Sequence, residues 1–139
     1  MNTLALAPNA AHSLQRWHQM VAAGNLDGLP QLLAADVVFR SPMAHTPYPG
    51  APVVAMILGT VLQVFQDFRY HRELASSDGR SVVLEFSAMV AGRELKGIDM
   101  IRFDEQGLIV DFEVMVRPMS GLQALGNEMA ARLAAHRTP

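Results

Sequence analysis

Cysteine is absent from this sequence, and charge of either sign is scarce. The absence of cysteine excludes disulfide bonds, thiolate metal sites and a cysteine nucleophile. A formal net charge of −2 leaves no basic excess, so we expect no nucleic-acid partner. The most apolar stretch, residues 51–65, is too short to span a bilayer, and the first residues lack the charged start and apolar core of a signal peptide. We therefore expect a cytoplasmic protein with no membrane partner.

Motifs that bind cofactors or metals are also absent. The five histidines do not occur at the His-x-His or His-Glu-x-x-His spacings of metal sites. No glycine-rich phosphate loop is present, because residues 24–28 have the pattern of a turn between helices, and Ser41 lacks the context of a nucleophile elbow. We therefore expect a site without metal or cofactor.

Half of the 139 residues are hydrophobic, although only 17% are charged. A chain of this length suits one domain, residues 1–139, and buries enough surface for a stable core. An apolar composition of this degree favours a buried cavity or a subunit interface.

Hydrophobic periodicity predicts an α+β fold. Leu14, Trp17 and Val21 recur at the spacing of one helix face. Later in the chain, short turn sequences separate four apolar strands, which is typical of an antiparallel meander. Helices and strands in separate runs indicate helices packed on one face of a curved sheet. The predicted elements are helices at 9–23 and 26–35, a strand at 37–41, a proline-rich loop at 42–50, a helix at 51–66, strands at 68–75, 81–90, 95–103 and 108–116, and a helix at 120–136.

The strand at 81–90 is apolar on both faces, because Leu84 and Phe86 lie in one row while Val83 and Met89 lie in the other. A sheet covered on both faces needs a second covering layer, so we expect a homodimer through the outer sheet face. The outward row is predicted to be Glu85, Ser87, Met89, Arg102, Glu113, Met115 and Arg117.

Four short segments resemble bacterial ketosteroid isomerases and their relatives in the nuclear transport factor 2-like, or SnoaL-like, superfamily. They are QRW at 15–17, AGNLDGL at 23–29, ADVVFRSP at 35–42 and IDMIRFDEQGLI at 98–109. The resemblance implies a cone-shaped, curved, mostly antiparallel sheet with helices on its concave face (cystatin-like). It also implies one SnoaL-like domain. Residues 119–136 add a C-terminal helix to this domain, and one hypothesis is that this helix acts as a lid.

The resemblance can be carried over residue by residue. The isomerases donate a hydrogen bond from a tyrosine in the first helix, and Trp17 stands at that position. Their general base is a carboxylate just before a proline, where this chain has Ser41. Their neutral carboxylic acid, maintained by an apolar site, is retained as Asp99. With two of three groups changed, the family mechanism is not expected here.

Limonene-type epoxide hydrolases share the scaffold, but they need an arginine and two aspartates. The matching positions hold Phe86, Ala88 and Val114, which cannot activate water.

Asp99 and His18 are the candidate catalytic residues. Burial would make Asp99 a neutral donor or a poised acid/base; alternatively, it is a structural carboxylate bonded to Trp17 Nε1 or to a backbone amide. His18 is a candidate proton shuttle or a partly exposed histidine at the helix edge.

The candidate ligand-binding residues surround the expected cavity. Trp17 would form a cavity wall or fill the core. The loop that carries His45 and Tyr48 would border the pocket or form a rigid surface, and Ser41 would contact the ligand or close a turn. The inward-facing residues of the sheet are predicted to be Phe86, Phe112 and Val114.

These features favour a domain that binds a hydrophobic small molecule in an apolar cavity. If it is an enzyme, a cofactor-independent isomerase, cyclase or dehydratase is expected. The alternative is a non-catalytic dimeric interaction module whose cavity is filled by its own side chains, for which the nine methionines are suited.

Overall fold

A computed structural model describes residues 5–137, and for residues 136 and 137 it describes the backbone alone. Within this part of the chain, helices cover one face of a six-stranded sheet. The helices are α1 (Pro8–Ala23), α2 (Ala51–Val64) and α3 (Met119–Arg137), with a 3₁₀ turn at Leu29–Leu32. The strands are β1 (Leu33–Arg40), β2 (Tyr48–Pro49), β3 (Gln66–Ala75), β4 (Ser81–Val90), β5 (Arg93–Phe103) and β6 (Ile109–Arg117).

The strand order is β2-β1-β6-β5-β4-β3. The pairs from β3 to β6 are antiparallel, so the predicted meander is confirmed, whereas β1 runs parallel to β6. The single sheet with its helices confirms the predicted α+β fold class. Among the described residues, no helix is both long enough and apolar enough to cross a membrane.

The helix predicted over residues 26–35 is wrong for most of its length. Only the 3₁₀ turn forms, and Leu33 already begins β1, where it pairs with Ile109 of β6. Pro30 has no backbone N–H to extend a longer helix. Pairing Leu33 into the sheet buries its side chain, and this tertiary contact overrides the local helical pattern.

The proline-rich loop at 42–50 also contains more structure than predicted. Tyr48 pairs with Phe39 across β2 and β1, and Gly50 N–H donates to Val37 C=O over 2.8 Å. These backbone contacts hold the loop against the edge of the sheet, close to the end of β1.

Helix α1 is fixed to the turn between β5 and β6. Ser13 Oγ donates to Gly107 C=O over 2.6 Å, and Asn9 Nδ2 donates to Glu105 C=O over 3.0 Å. Gly107 has a φ of 84°, and an added Cβ would lie 2.5 Å from Asn9 O, so only glycine suits this turn. The buried face of α1 then presents Leu14 and Trp17 to the core.

Strand β4 forms the centre of the core. Its residues alternate between buried and half-buried, and the predicted inward row of Val82, Leu84, Phe86, Ala88 and Val90 is buried. On the outer face, Glu85 accepts hydrogen bonds from Arg72 Nε at 3.0 Å and Nη2 at 2.7 Å. A second subunit covering this face stays a prediction.

Candidate functional site

A pocket of about 210 Å³ lies between the concave face of the sheet and the three α-helices. Its wall is mostly apolar, with side chains from α2 such as Ile57 and Val61 and from β6 such as Phe112. The polar groups on the wall come from Ser41, Tyr48, Tyr70 and Asp99, and from the Trp17 indole.

Asp99 is the acidic group of this pocket. It lies in β5 between Leu84 of β4 and Val114 of β6, with its side chain on the concave face and 6% of its surface exposed. Tyr70 Oη donates a hydrogen bond of 2.5 Å to Asp99 Oδ2. Within residues 5–137, no side chain or backbone group hydrogen-bonds to the other oxygen, Oδ1, so that atom is available to a ligand.

Tyr70 connects Asp99 to the only tryptophan. Trp17 Nε1 donates to Tyr70 Oη over 3.0 Å, and the Trp17 ring packs edge-on against Phe112 with centroids 5.3 Å apart. The direct bond between Asp99 and Trp17 Nε1, considered from the sequence, is therefore wrong, because the Tyr70 hydroxyl lies between them. Trp17 and Tyr70 therefore form a chain of two hydrogen bonds that ends at Asp99 Oδ2.

Burial changes the acid–base properties of this pair. Desolvation raises the pKa of Asp99 from an ordinary value near 3.8 to about 7, and the hydrogen bond from Tyr70 offsets part of that rise. Burial, followed by the nearby charge of Asp99, raises the pKa of Tyr70 well above 10. Asp99 therefore exchanges a proton near neutral pH, whereas Tyr70 keeps its own.

His18, the second predicted catalytic residue, lies on the far side of Tyr70. Its ring packs edge-on against the Tyr70 ring with centroids 5.1 Å apart, and its Nε2 lies 2.5 Å from Glu73 Oε1. These two atoms are within ion-pair distance, but their geometry does not meet that of a hydrogen bond. His18 does not line the pocket and is not bonded to Asp99 in the described chain, so its role as a proton shuttle stays a prediction.

The predicted ligand-binding residues divide into two groups. Trp17, Ser41, Tyr48, Phe112 and Val114 line the pocket. Ser41 Oγ also accepts a hydrogen bond of 3.0 Å from the Met43 backbone, which is the turn contact considered from the sequence.

Two predicted residues do not line the pocket. Phe86 is fully buried and packs against Phe65 and Phe68, with ring centroids 5.4 and 5.0 Å away, so it supports these two wall residues. His45 is exposed in the loop between β1 and β2. The expectation that they contact a ligand therefore has no geometric support.

Tyr70 is the candidate site residue that sequence reasoning missed. Its spacing of two from Phe68 is the available signal, since alternate residues of a strand share a face. The resemblance directed attention to the first helix instead, where the family has its tyrosine. Irregular pairing of β3 with β4 on both sides of Tyr70 also weakens the alternation around it.

No group of three or more potential ligand side chains could hold a metal ion within the described residues. The geometry instead defines a class: a cone-shaped α+β domain with an apolar pocket and one buried carboxyl group. The family model of the SnoaL-like domain matches residues 14–112. The chain therefore belongs to the SnoaL-like family, within the nuclear transport factor 2-like superfamily.

Solved structures agree with this assignment. A protein from Pseudomonas aeruginosa named steroid delta-isomerase is 71% identical, with a TM-score of 0.95 over 96% of this chain and 98% of that one. A Silicibacter pomeroyi protein with a cystatin-like fold is 38% identical, with a TM-score of 0.81 over 88% and 85%. A putative isomerase from Bacillus subtilis is 17% identical, with a TM-score of 0.64 over 85% and 93%, which shows the fold alone. A search of curated proteins found no match.

Proposed function

We propose that the pocket binds a hydrophobic small molecule that carries a carbonyl or hydroxyl group, and that Asp99 transfers a proton to or from it without a cofactor. The observation that carries this proposal is a buried carboxyl group with one unbonded oxygen on the wall of an otherwise apolar pocket. Its pKa of about 7 suits acid–base work at neutral pH.

The two protonation states of Asp99 suit two partners. When protonated, Oδ1 donates a hydrogen bond to a carbonyl oxygen of the ligand; when ionised, it accepts one from a hydroxyl group. Tyr70, itself fixed by Trp17, holds Oδ2 and so sets the direction in which Oδ1 points. Isomerisation, cyclisation and dehydration each need a proton delivered and removed, and an acid titrating near 7 can do both.

The substrate class is proposed from the similar protein of Pseudomonas aeruginosa. Its name, steroid delta-isomerase, and its 71% identity to this chain support a steroid or a ligand of similar flat, apolar shape. A hydroxyl group cannot remove a carbon-bound proton at neutral pH, so Ser41 is not a base and Asp99 is left as the acid–base group.

Calorimetric titration with steroids, phenols and polyketide-like ketones tests the proposal. We expect saturable binding of at least one class and a weaker affinity in Asp99→Asn. In NMR spectra, the bound compound should shift the Trp17 indole N–H resonance. Exposed Asp36 provides the matched control, because Asp36→Asn leaves the pocket unchanged. Equal affinities in both variants would exclude Asp99 as the polar anchor.

The alternative function is a non-catalytic interaction module with a self-filled cavity. The void of about 210 Å³ next to Asp99 supports the ligand-binding proposal over this alternative. If no compound binds and the Trp17 resonance never moves, the interaction module is the better account.

We also propose that the outer sheet face pairs with a second copy of this chain. Met115 is 45% exposed there, beside Ile98 and the ion-paired Arg72, Glu85 and Lys96. A face that carries charges of both signs and apolar groups can pair with a copy of itself about a two-fold axis. Sedimentation should give a dimer that Met115→Lys weakens, whereas Met56→Lys on α2 should not; a wild-type monomer would overturn this proposal.

A further inference from the structure

Helix α3 contains two glycines at close contacts with the rest of the domain. A Cβ at Gly121 would lie 2.7 Å from Leu95 Cβ and 2.9 Å from Glu94 O, so the first turn of α3 sits directly on β5. Glycine within a helix is less favourable than alanine, so such positions mark sites where a neighbour needs the space. Gly126, one and a half turns further along, is the second of them.

The neighbour that occupies the space at Gly126 is Met43. A Cβ added at Gly126 would overlap Met43 Cε and lie 2.9 Å from Met43 Sδ. Met43 belongs to the loop between β1 and β2, so this contact joins that loop to α3 across the pocket. Both residues line the pocket, together with Leu125 and Met129 of the same helix.

Met43 is free to leave this position. Its side chain is 53% exposed, so solvent is open to it on one side. Methionine has three rotatable bonds and little preference among its rotamers, so it moves more readily than a branched residue. The loop backbone is meanwhile held by the bond from the Met43 N–H to Ser41 Oγ.

The pocket is small while Met43 occupies this position. Its volume of about 210 Å³ is below the roughly 300–1,000 Å³ of pockets that enclose drug-sized ligands. Asp99 lines the same pocket from β5, one of the central strands of the sheet, whereas Met43 lines it from the loop between β1 and β2. The Met43 side chain therefore takes up space in a small pocket that a long ligand bound to Asp99 would need.

We propose that Met43, seated on Gly126, determines the length of ligand that the pocket accepts. This inference rests on the proposed ligand-binding function. Short ligands fit beneath the side chain, whereas a ligand of four fused rings must displace it from Gly126. Met43 is therefore a specificity-determining residue.

Two phenols of different length test this proposal. We would measure the affinities of 2-naphthol, with two fused rings, and estrone, with four, by calorimetry on the wild-type protein and on Met43→Ala. We expect Met43→Ala to strengthen estrone binding about tenfold while changing 2-naphthol binding less than about twofold. Met56→Ala, an exposed methionine of α2 outside this pocket, is the matched control and should change neither.

The outcomes separate this inference from the proposed function. If 2-naphthol binds and Met43→Ala changes both affinities equally, or neither, the length role is overturned while the ligand-binding function stands. If neither phenol binds the wild type or the variant, the length role is overturned, and the ligand-binding function is decided by the wider panel of steroids, phenols and polyketide-like ketones.

Thermal unfolding gives a second test that needs no ligand. Gly126→Ala should raise the melting temperature more in the Met43→Ala background than in the wild type, because only the wild-type Met43 obstructs the new methyl group. An equal rise in both backgrounds would show that Met43 yields the space at Gly126 without cost and so cannot limit ligand length, which would overturn the proposal.

Discussion

Tyr70 and Asp99 form the central relationship of this domain: a phenol on β3 donates to a buried carboxyl group on β5 over 2.5 Å. Because β4 lies between these two strands, the contact bridges the concave surface of the sheet. It occupies one carboxyl oxygen and leaves the other directed at the pocket. The predictions that follow depend on this pair and on the packing around it.

Replacing Asp99 by asparagine should change how stability depends on pH. The folded-state pKa of about 7 exceeds the unfolded value near 3.8, so between these values the folded state holds a proton that the unfolded state releases. The contribution of Asp99 to stability should therefore be fully present below pH 4, fall as pH rises and be lost above 7, with a total loss on the order of 4 kcal/mol.

Asp99→Asn removes this titration while keeping an acceptor for Tyr70. Urea unfolding at pH 5 and pH 8 should show that the variant gains stability over the wild type at pH 8. The exposed Asp36→Asn provides the comparison. A wild-type stability that does not fall over this interval would mean that Asp99 has an ordinary pKa.

Replacing Tyr70 by phenylalanine should raise the pKa of Asp99 further. The hydrogen bond from Tyr70 favours the ionised carboxyl, and its loss leaves desolvation unopposed. Trp17 Nε1 also loses its acceptor, so stability should fall by about 1–3 kcal/mol. The midpoint of the Asp99 titration, followed by carbon-13 NMR of the carboxyl group, measures the first effect; a lower midpoint in Tyr70→Phe contradicts the geometry.

Placing a carboxylate at position 41 should accelerate isomerisation. Ser41 lines the pocket at the position where the resembling isomerases have their general base. A positioned base contributes roughly 10²- to 10⁴-fold to a rate. Movement of a double bond into conjugation with a steroid ketone can be followed by ultraviolet absorbance. Ser41→Asp should accelerate it over wild type and over Ser41→Asn; equal rates in the two variants would show that position 41 cannot reach the substrate.

Gly97→Ala should destabilise the sheet beneath the pocket. An added Cβ would overlap the Met115 carbonyl oxygen and lie 2.7 Å from Phe86 Cζ, and neither the backbone nor a buried ring can move easily. We expect a loss of about 1–3 kcal/mol in the free energy of unfolding. Gly59→Ala in α2 is the matched control, because nothing lies within 4 Å of the added methyl group, and it should gain up to about 1 kcal/mol.

Sequence periodicity was sufficient for most of the regular elements. The alternation in β4 places Phe86 in the core, and the helical spacing of Leu14 and Trp17 places both inward. Residues 26–35 were predicted wrongly because the pattern is local, whereas the pairing of Leu33 with Ile109 is not. A pairing between residues so distant in sequence leaves no periodic signal.

The site was harder to predict than the fold. The resemblance identified Asp99, but the donor that completes it comes from β3, where irregular pairing on both sides of Tyr70 obscures the strand alternation. The contact of Met43 with Gly126 was equally hard to predict, because it depends on how closely a loop and a helix approach each other. Contacts between elements determine such features, and single-sequence patterns do not encode them directly.

The most direct test of this account is the titration of the Asp99 carboxyl carbon by NMR, without ligand and with estrone bound. The account predicts a midpoint near pH 7 in the free protein and a changed midpoint when the ligand contacts Oδ1. A midpoint near 4 that estrone leaves unchanged would contradict the central claim that a buried acid faces a ligand in this pocket.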